Sequence, residues 1–145
     1  MIQLENLTTV NFDFIVLAVK PKDALKTEKD IFDNAPESIL ITVVAGISLN
    51  KYSKPGSVIR SMPNTACAFG KGITALYADD QKSHGFKNAI NLFSRTGYVL
   101  ALENEEEMHR FTSIIGSGQA FLFQVLKVYL LAVSYTHLRA HETRG

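Results

Sequence analysis

The chain has 145 residues, 46% hydrophobic and 20% charged, which suits one domain with a real core and excludes disorder as the main state. With 15 Lys and Arg against 14 Asp and Glu, and 13 of each sign once residues 134–145 are left out, no long-range field favours nucleic acid or an anionic membrane. A single cysteine, Cys67, excludes an internal disulfide or multi-cysteine metal site, and no basic segment leads into a hydrophobic run at the N-terminus, so the expectation is a reducing, cytoplasmic setting.

Residues 12–19 form a near-continuous apolar run rich in β-branched and aromatic side chains, the pattern of a parallel strand covered on both faces. Pro21 follows at once, suited to a first helical turn, and residues 21–34 read as a surface helix. Ile39 to Ala45 is a second buried strand, closed by Gly46. This rhythm predicts a right-handed βαβ crossover and an α/β sheet. Further strands are expected at 57–61, stopped by Pro63, and at 73–77. Phe86, Ala89, Ile90 and Phe93 share one face of a helix that Gly97 ends, and Tyr98 to Leu102 returns as a strand. Met108, Phe111 and Ile115 mark a helix ending near Gly116-Ser117-Gly118. Gln119 to Val133 is a long helix whose apolar part, 120–133, is shorter than the roughly 20 residues a bilayer requires, so it reads as buried. It breaks off into a polar stretch, 134–145, and nothing later could cover it, so the body reads as cut at its C-terminus.

Several motifs invite chemistry. Gly70-Lys71-Gly72-Ile73-Thr74-Ala75 matches the letters of a dinucleotide fingerprint, but the phosphate-binding form opens a helix, and this one leads into β-rich sequence and reads as a turn. In Gly116-Ser117-Gly118-Gln119-Ala120-Phe121, Phe121 stands where the third glycine belongs. His137 and His141 have helical ligand spacing without a third ligand, so no metal is expected. His84 and His109 read as surface residues and Cys67 as packing. Glu103, Glu105, Glu106 and Glu107 suit a helix N-terminus, whose dipole favours negative charge. The strand ends are more informative. Lys20-Pro21, Ala45-Gly46 and Met62 to Thr65 converge on the carboxyl edge where open α/β sheets bind ligands. The residues thus point to a nucleotide-binding α/β domain.

Those segments carry a resemblance. Ala18-Val19-Lys20-Pro21, Val44-Ala45-Gly46-Ile47-Ser48-Leu49 and Val58-Ile59-Arg60-Ser61-Met62-Pro63-Asn64-Thr65 resemble pyrroline-5-carboxylate reductase. Gly72 to Leu76, Leu92-Phe93-Ser94 with Gly97, and Gly116 to Phe121 come next in the right order, so the likeness runs from about residue 13 to 133. The resemblance implies reduction of 1-pyrroline-5-carboxylate to L-proline with NADPH or NADH, hydride going to the imine carbon and a proton to its nitrogen. It implies a Rossmann domain lacking its first βαβ unit (residues 1–115) and the first helix of a helical dimerisation domain (116–133). Residues 134–145 resemble a translated sequencing-adapter tail. By the same resemblance Ala18, Val19, Lys20 and Pro21 lie along the cofactor, with Lys20 near its ribose. Val43, Val44 and Ala45 pass under it, and Pro63, Asn64 and Thr65 form the neighbouring loop. Glu105 matches a glutamate near the bound imino acid, and no catalytic residue is assigned.

The pattern departs from the family at Ala66, Ile115, Gln119 and Phe121, and at His109 in place of an aspartate, which touches substrate-side geometry more than the fold. The expected partners are a small imino acid and, for the parent protein, a second copy or higher homo-oligomer, with no nucleic acid and no membrane. A chain cut at both ends is expected to be inactive alone. The alternatives are a non-catalytic nucleotide-binding or interaction module and a related imine or hydroxy-acid dehydrogenase.

Overall fold

A computed structural model describes residues 12–142. Five strands form one sheet in sequential order: β1 (Phe14–Leu17), β2 (Ile39–Thr42), β3 (Val58–Met62), β4 (Gly72–Tyr77) and β5 (Gly97–Ala101). β1, β2 and β3 are parallel, β4 is antiparallel to β3, and β5 is parallel to β4. The connections explain this mixture. Helix α1 (Pro21–Asn34) joins β1 to β2, and α2 (His84–Ser94) joins β4 to β5. Between β3 and β4 lies only a 3₁₀ turn, Thr65–Phe69, and a link that short permits an antiparallel return but not a crossover. The β2–β3 crossover carries two 3₁₀ turns, Leu49–Lys51 and Pro55–Ser57, instead of an α-helix.

Alternation along the strands sorts the core into two faces. On one, Leu17, Leu40, Val44 and Val58 meet Ala24, Ile31 and Phe32 of α1, together with Leu49 and Tyr52 of the crossover. On the other, Ile41, Ile59 and Leu76 pack against Phe86 and Ala89 of α2, with Ile90 and Phe93 half-buried beside them, the face expected from their spacing. Ser83 caps α2 by accepting the Phe86 N–H at 3.2 Å, satisfying a donor the helix itself leaves open. The first apolar run is strand only from Phe14, and the second stops at Thr42, so both predicted strands are longer than the observed ones.

The C-terminal helices differ from the sequence expectation. α3 (Glu107–Phe111) does not stop at the glycines: a π-helical segment, Thr112–Ser117, leads directly into α4 (Gly118–Glu142). Helix therefore crosses both expected boundaries, at 115/116 and at 133/134. Met108, Phe111 and Ile115 pack with Met62, Ala75 and Leu102, so α3 is anchored to the sheet. The helix expected to be buried is exposed: Phe121 is 76% and Leu130 66% exposed, because no described element packs against this stretch. Its apolar length also exceeds expectation. Residues 107–135 are long and apolar enough, by length and composition alone, to cross a membrane.

Candidate functional site

Because β1, β2 and β3 run parallel, their carboxyl ends share one edge, and antiparallel β4 begins at that edge. The structure therefore brings the three predicted segments to one side of the sheet. It arranges them as a staircase. The register sets Leu17 beside Thr42 and Thr42 beside Arg60, so β1 and β2 end level with the middle of β3, while β3 continues to Met62. The described strands run in sequential order without the reversal that makes a two-walled crevice in an open sheet, so the edge is a ledge.

The predicted residues take different stations on it. Ala18, Val19, Lys20 and Pro21 are all exposed, and Lys20 is the extended residue before Pro21 at the start of α1, as a pre-proline residue should be. Val43 is half-buried and donates its N–H to Leu17 O at 3.1 Å, whereas Ala45 is exposed. Val44 is 4% exposed and belongs to the core with Leu17 and Leu49, so only its main chain is available to a ligand. Gly46 comes next at φ +79°, a left-handed turn with open space around its Cα. Pro63 and Asn64 are half-buried and Thr65 is exposed. Asn64 is already committed: its Oδ1 accepts the Ile73 N–H at 3.1 Å and lies 3.8 Å from the Cys67 thiol, holding the turn against β4. From that loop, Thr65 offers the free side chain.

Glu105 comes from the turn before α3 and is tied to the crossover that leaves β2. Its Oε1 accepts the Leu49 N–H at 2.7 Å and Arg60 Nη1 at 2.8 Å, joining the β2–β3 crossover, the middle of β3 and the turn before α3. The other acidic residues behave as helix-start charges: Glu107 stands in the first turn of α3 and its Oε2 accepts the Glu103 N–H at 3.1 Å. Arg60 carries no role in the sequence reading, although a charge inside the apolar run Val58 to Met62 signals a buried ion pair on its own. Gly70, at φ +66°, caps the 3₁₀ turn and leads into β4, which agrees with the turn reading of the glycine motif. His84 and His109 are exposed, as expected. His137 and His141 fall in the last turns of α4.

Tyr52 and Tyr77 border the ion pair. Burial pushes the Tyr52 phenol above its ordinary value, against the lowering effect of its hydrogen bond to Thr42 and of the Arg60 charge. Burial likewise raises Tyr77, helped by Asp79 and Glu105. A cleft of about 370 Å³ between β1 and α2, lined by Asp13, Asn88, Asn91 and Arg95 among others, holds none of the predicted site residues.

No protein-family model matches the chain. Among curated proteins it is similar to the pyrroline-5-carboxylate reductase of Pseudomonas aeruginosa, 34% identical over 122 residues, which is 79% of this chain and 44% of that one. Among solved structures it resembles the pyrroline carboxylate reductase of Plasmodium falciparum, determined with NADP bound. That match has a TM-score of 0.80 at 25% identity and covers 94% of this chain and 53% of the other. It also resembles the Coxiella burnetii pyrroline-5-carboxylate reductase, with a TM-score of 0.74 at 26% identity over 86% of this chain and 49% of that one. By sequence and by fold the chain is similar to pyrroline-5-carboxylate reductases, and it spans about half the length of the relatives it matches.

Proposed function

We propose that the chain is part of the NAD(P)H-binding domain of a reductase that converts 1-pyrroline-5-carboxylate to L-proline, the last step of proline synthesis, in the cytoplasm. The observation that carries this reading is the match in sequence and fold to reductases of that name, one of them determined with NADP bound. The residues present fit a dinucleotide. Small or exposed side chains at 18–21 and 45 leave main chain accessible at the strand ends, Lys20 is an exposed cation suited to a ribose or phosphate oxygen, and Gly46 leaves open space beside the second strand end. In this reading Ala18, Val19, Lys20 and Pro21 border the cofactor, the main chain of Val43, Val44 and Ala45 passes beneath it, and Pro63, Asn64 and Thr65 close the side. A reduced nicotinamide, when bound, supplies the hydride for the imine carbon. The chain's own residues bind and orient, and Glu105 is the group placed toward the imino acid.

Nicotinamide fluorescence, with amide chemical shifts in parallel, tests the reading. NADPH should perturb residues 18–21 and 43–45, and Lys20→Ala should weaken binding severalfold, the size of one lost charge-assisted hydrogen bond at about 1 kcal/mol or more. Unchanged fluorescence and shifts with both NADPH and NADH would refute cofactor binding by this chain. The exposed apolar α4 favours a second reading, an interaction module, which predicts partner binding with no response to dinucleotide.

A further inference from the structure

Arg60 is the one charged residue in β3, and its side chain is only 3% exposed, against 26% for Glu105. A guanidinium at that depth requires a fixed acceptor, because a buried charge without a partner is strongly destabilising. The acceptor is Glu105 Oε1, at 2.8 Å, and the same oxygen takes the Leu49 N–H at 2.7 Å. Among the described residues Oε2 accepts no hydrogen bond. One half of the carboxylate is thus anchored from two directions, and the other half is uncommitted on a partly exposed side chain. Leu49 stands four residues beyond Ala45 and is itself in the core, so the anchor also fixes the chain leaving the second strand end.

We propose that Arg60 is a positioning residue, which pins Oε1 of Glu105 so that Oε2 is held ready for a cationic N–H of the substrate. The chemical class is a five-membered ring nitrogen in its protonated form, and this part of the inference rests on the reductase reading above. Preorganisation is the physical gain. A carboxylate with one oxygen already fixed loses less rotational freedom when the other is engaged. Arg60 itself touches neither substrate nor cofactor in this scheme.

The test uses the whole 145-residue chain with Arg60→Met, Arg60→Lys and Glu105→Gln variants, L-proline as the nitrogen-bearing probe, and two readouts. The first is hydrogen exchange of the Leu49 amide relative to those of Ile41 and Ile59. The second is the shift of the Glu105 side-chain signals on adding L-proline with NADPH. Arg60→Met should speed Leu49 exchange about tenfold or more relative to the reference amides, as loss of a charge-assisted anchor implies. It should also abolish the Glu105 response, and Arg60→Lys should restore most of both. Glu105→Gln keeps an acceptor oxygen for Leu49 but leaves the Arg60 charge unpaired, so it should raise Leu49 exchange less than Arg60→Met does and lose the response to L-proline. Wild-type exchange and response in Arg60→Met would overturn the proposal. If that variant fails to fold, Arg60→Lys and Glu105→Gln decide it, and a full L-proline response in Glu105→Gln would count against it. A wild-type chain that answers neither NADPH nor L-proline would refute cofactor and substrate binding by this chain, while Leu49 exchange still decides whether Arg60 positions Glu105.

Discussion

Glu28 Oε1 accepts both the main-chain N–H of Ser53, at 2.8 Å, and its hydroxyl, at 2.6 Å. A carboxylate on α1 therefore holds one end of the β2–β3 crossover, whose other end hangs on Glu105 through Leu49. Between the two anchors, Tyr52 meets Thr42 Oγ1 at 3.1 Å, and just beyond them Lys54 Nζ donates to Pro36 O at 3.0 Å. A crossover without an α-helix lacks an internal ladder, and side chains from α1, β2 and the turn before α3 supply what the backbone does not.

Glu28 is 2% exposed, so its removal leaves the Ser53 donors to find other acceptors and a cavity beneath the crossover. Glu28→Ala is expected to cost about 2–3 kcal/mol in urea unfolding, from two hydrogen bonds to a charged acceptor and the lost side-chain packing. Glu28→Gln keeps an acceptor oxygen and should cost about 1 kcal/mol. Equal costs for the two would place the contribution in charge alone.

The raised phenols predict a loss of stability at alkaline pH. For Tyr52 and Tyr77 the folded state disfavours the phenolate, by burial first. A group raised on folding contributes stability that is complete below its unfolded value, about 10, and is lost as pH rises from there through the folded value. Urea midpoints should therefore stay level across the neutral range, as far as these groups decide, and fall above about pH 10. Tyr52→Phe should make that alkaline fall shallower while lowering stability at pH 7, since Thr42 loses its buried partner. An alkaline fall as steep as wild type would assign the titration elsewhere.

Much of the fold is legible in the sequence, and the failures have physical causes. The spacing of Phe86, Ala89, Ile90 and Phe93 gives the buried face of α2, and the strand-end segments meet at one edge because β1 to β3 are parallel. The antiparallel return of β4 escapes the sequence reading because it depends on the length of the link after Pro63, which strand patterns do not weigh. Val44 is expected under the cofactor by its main chain, and its side chain packs in the core with Leu17 and Leu49. Asn64 is expected in the neighbouring loop, and the bond its Oδ1 accepts from the Ile73 N–H, which fixes that loop to β4, depends on a fold that the sequence pattern does not show. At Gly116 and Gly118 the composition signals a helix end, whereas a π-helical segment absorbs Gly116 and carries the helix on through Gly118. Apolar character predicts burial of α4, and that inference holds only where some element of the chain can reach the helix.

That exposure has a direct consequence. Val125, Val128, Tyr129 and Leu130 are each more than 60% exposed on α4, and a contiguous apolar surface of that kind drives association in water. Sedimentation of the purified chain should show species heavier than the 16.1 kDa monomer, increasing with concentration. Val125→Lys with Leu130→Lys should shift the distribution toward monomer. Urea unfolding of the sheet should change little, because the core clusters contain no residue of α4. A monomer at all concentrations in the unmodified chain would contradict this.

Two glycines, finally, separate backbone strain from mere crowding. Gly97 opens β5 at φ +141°, and a Cβ there would overlap the main chain of Gly72, its partner in the ladder. Neither the dihedral nor a paired strand backbone can yield cheaply, so Gly97→Ala is expected to cost about 3 kcal/mol or more, from strain and overpacking together. Gly85, in the first turn of α2, has an ordinary φ, and its added Cβ would meet the δ-methyl end of Ile39. That side chain can turn aside, and alanine improves helix propensity by up to about 1 kcal/mol, so Gly85→Ala should change stability by no more than about 1 kcal/mol. Urea denaturation of the two variants side by side gives the comparison. A Gly97→Ala variant as stable as Gly85→Ala would mean that β5 can leave its register with β4 without loss.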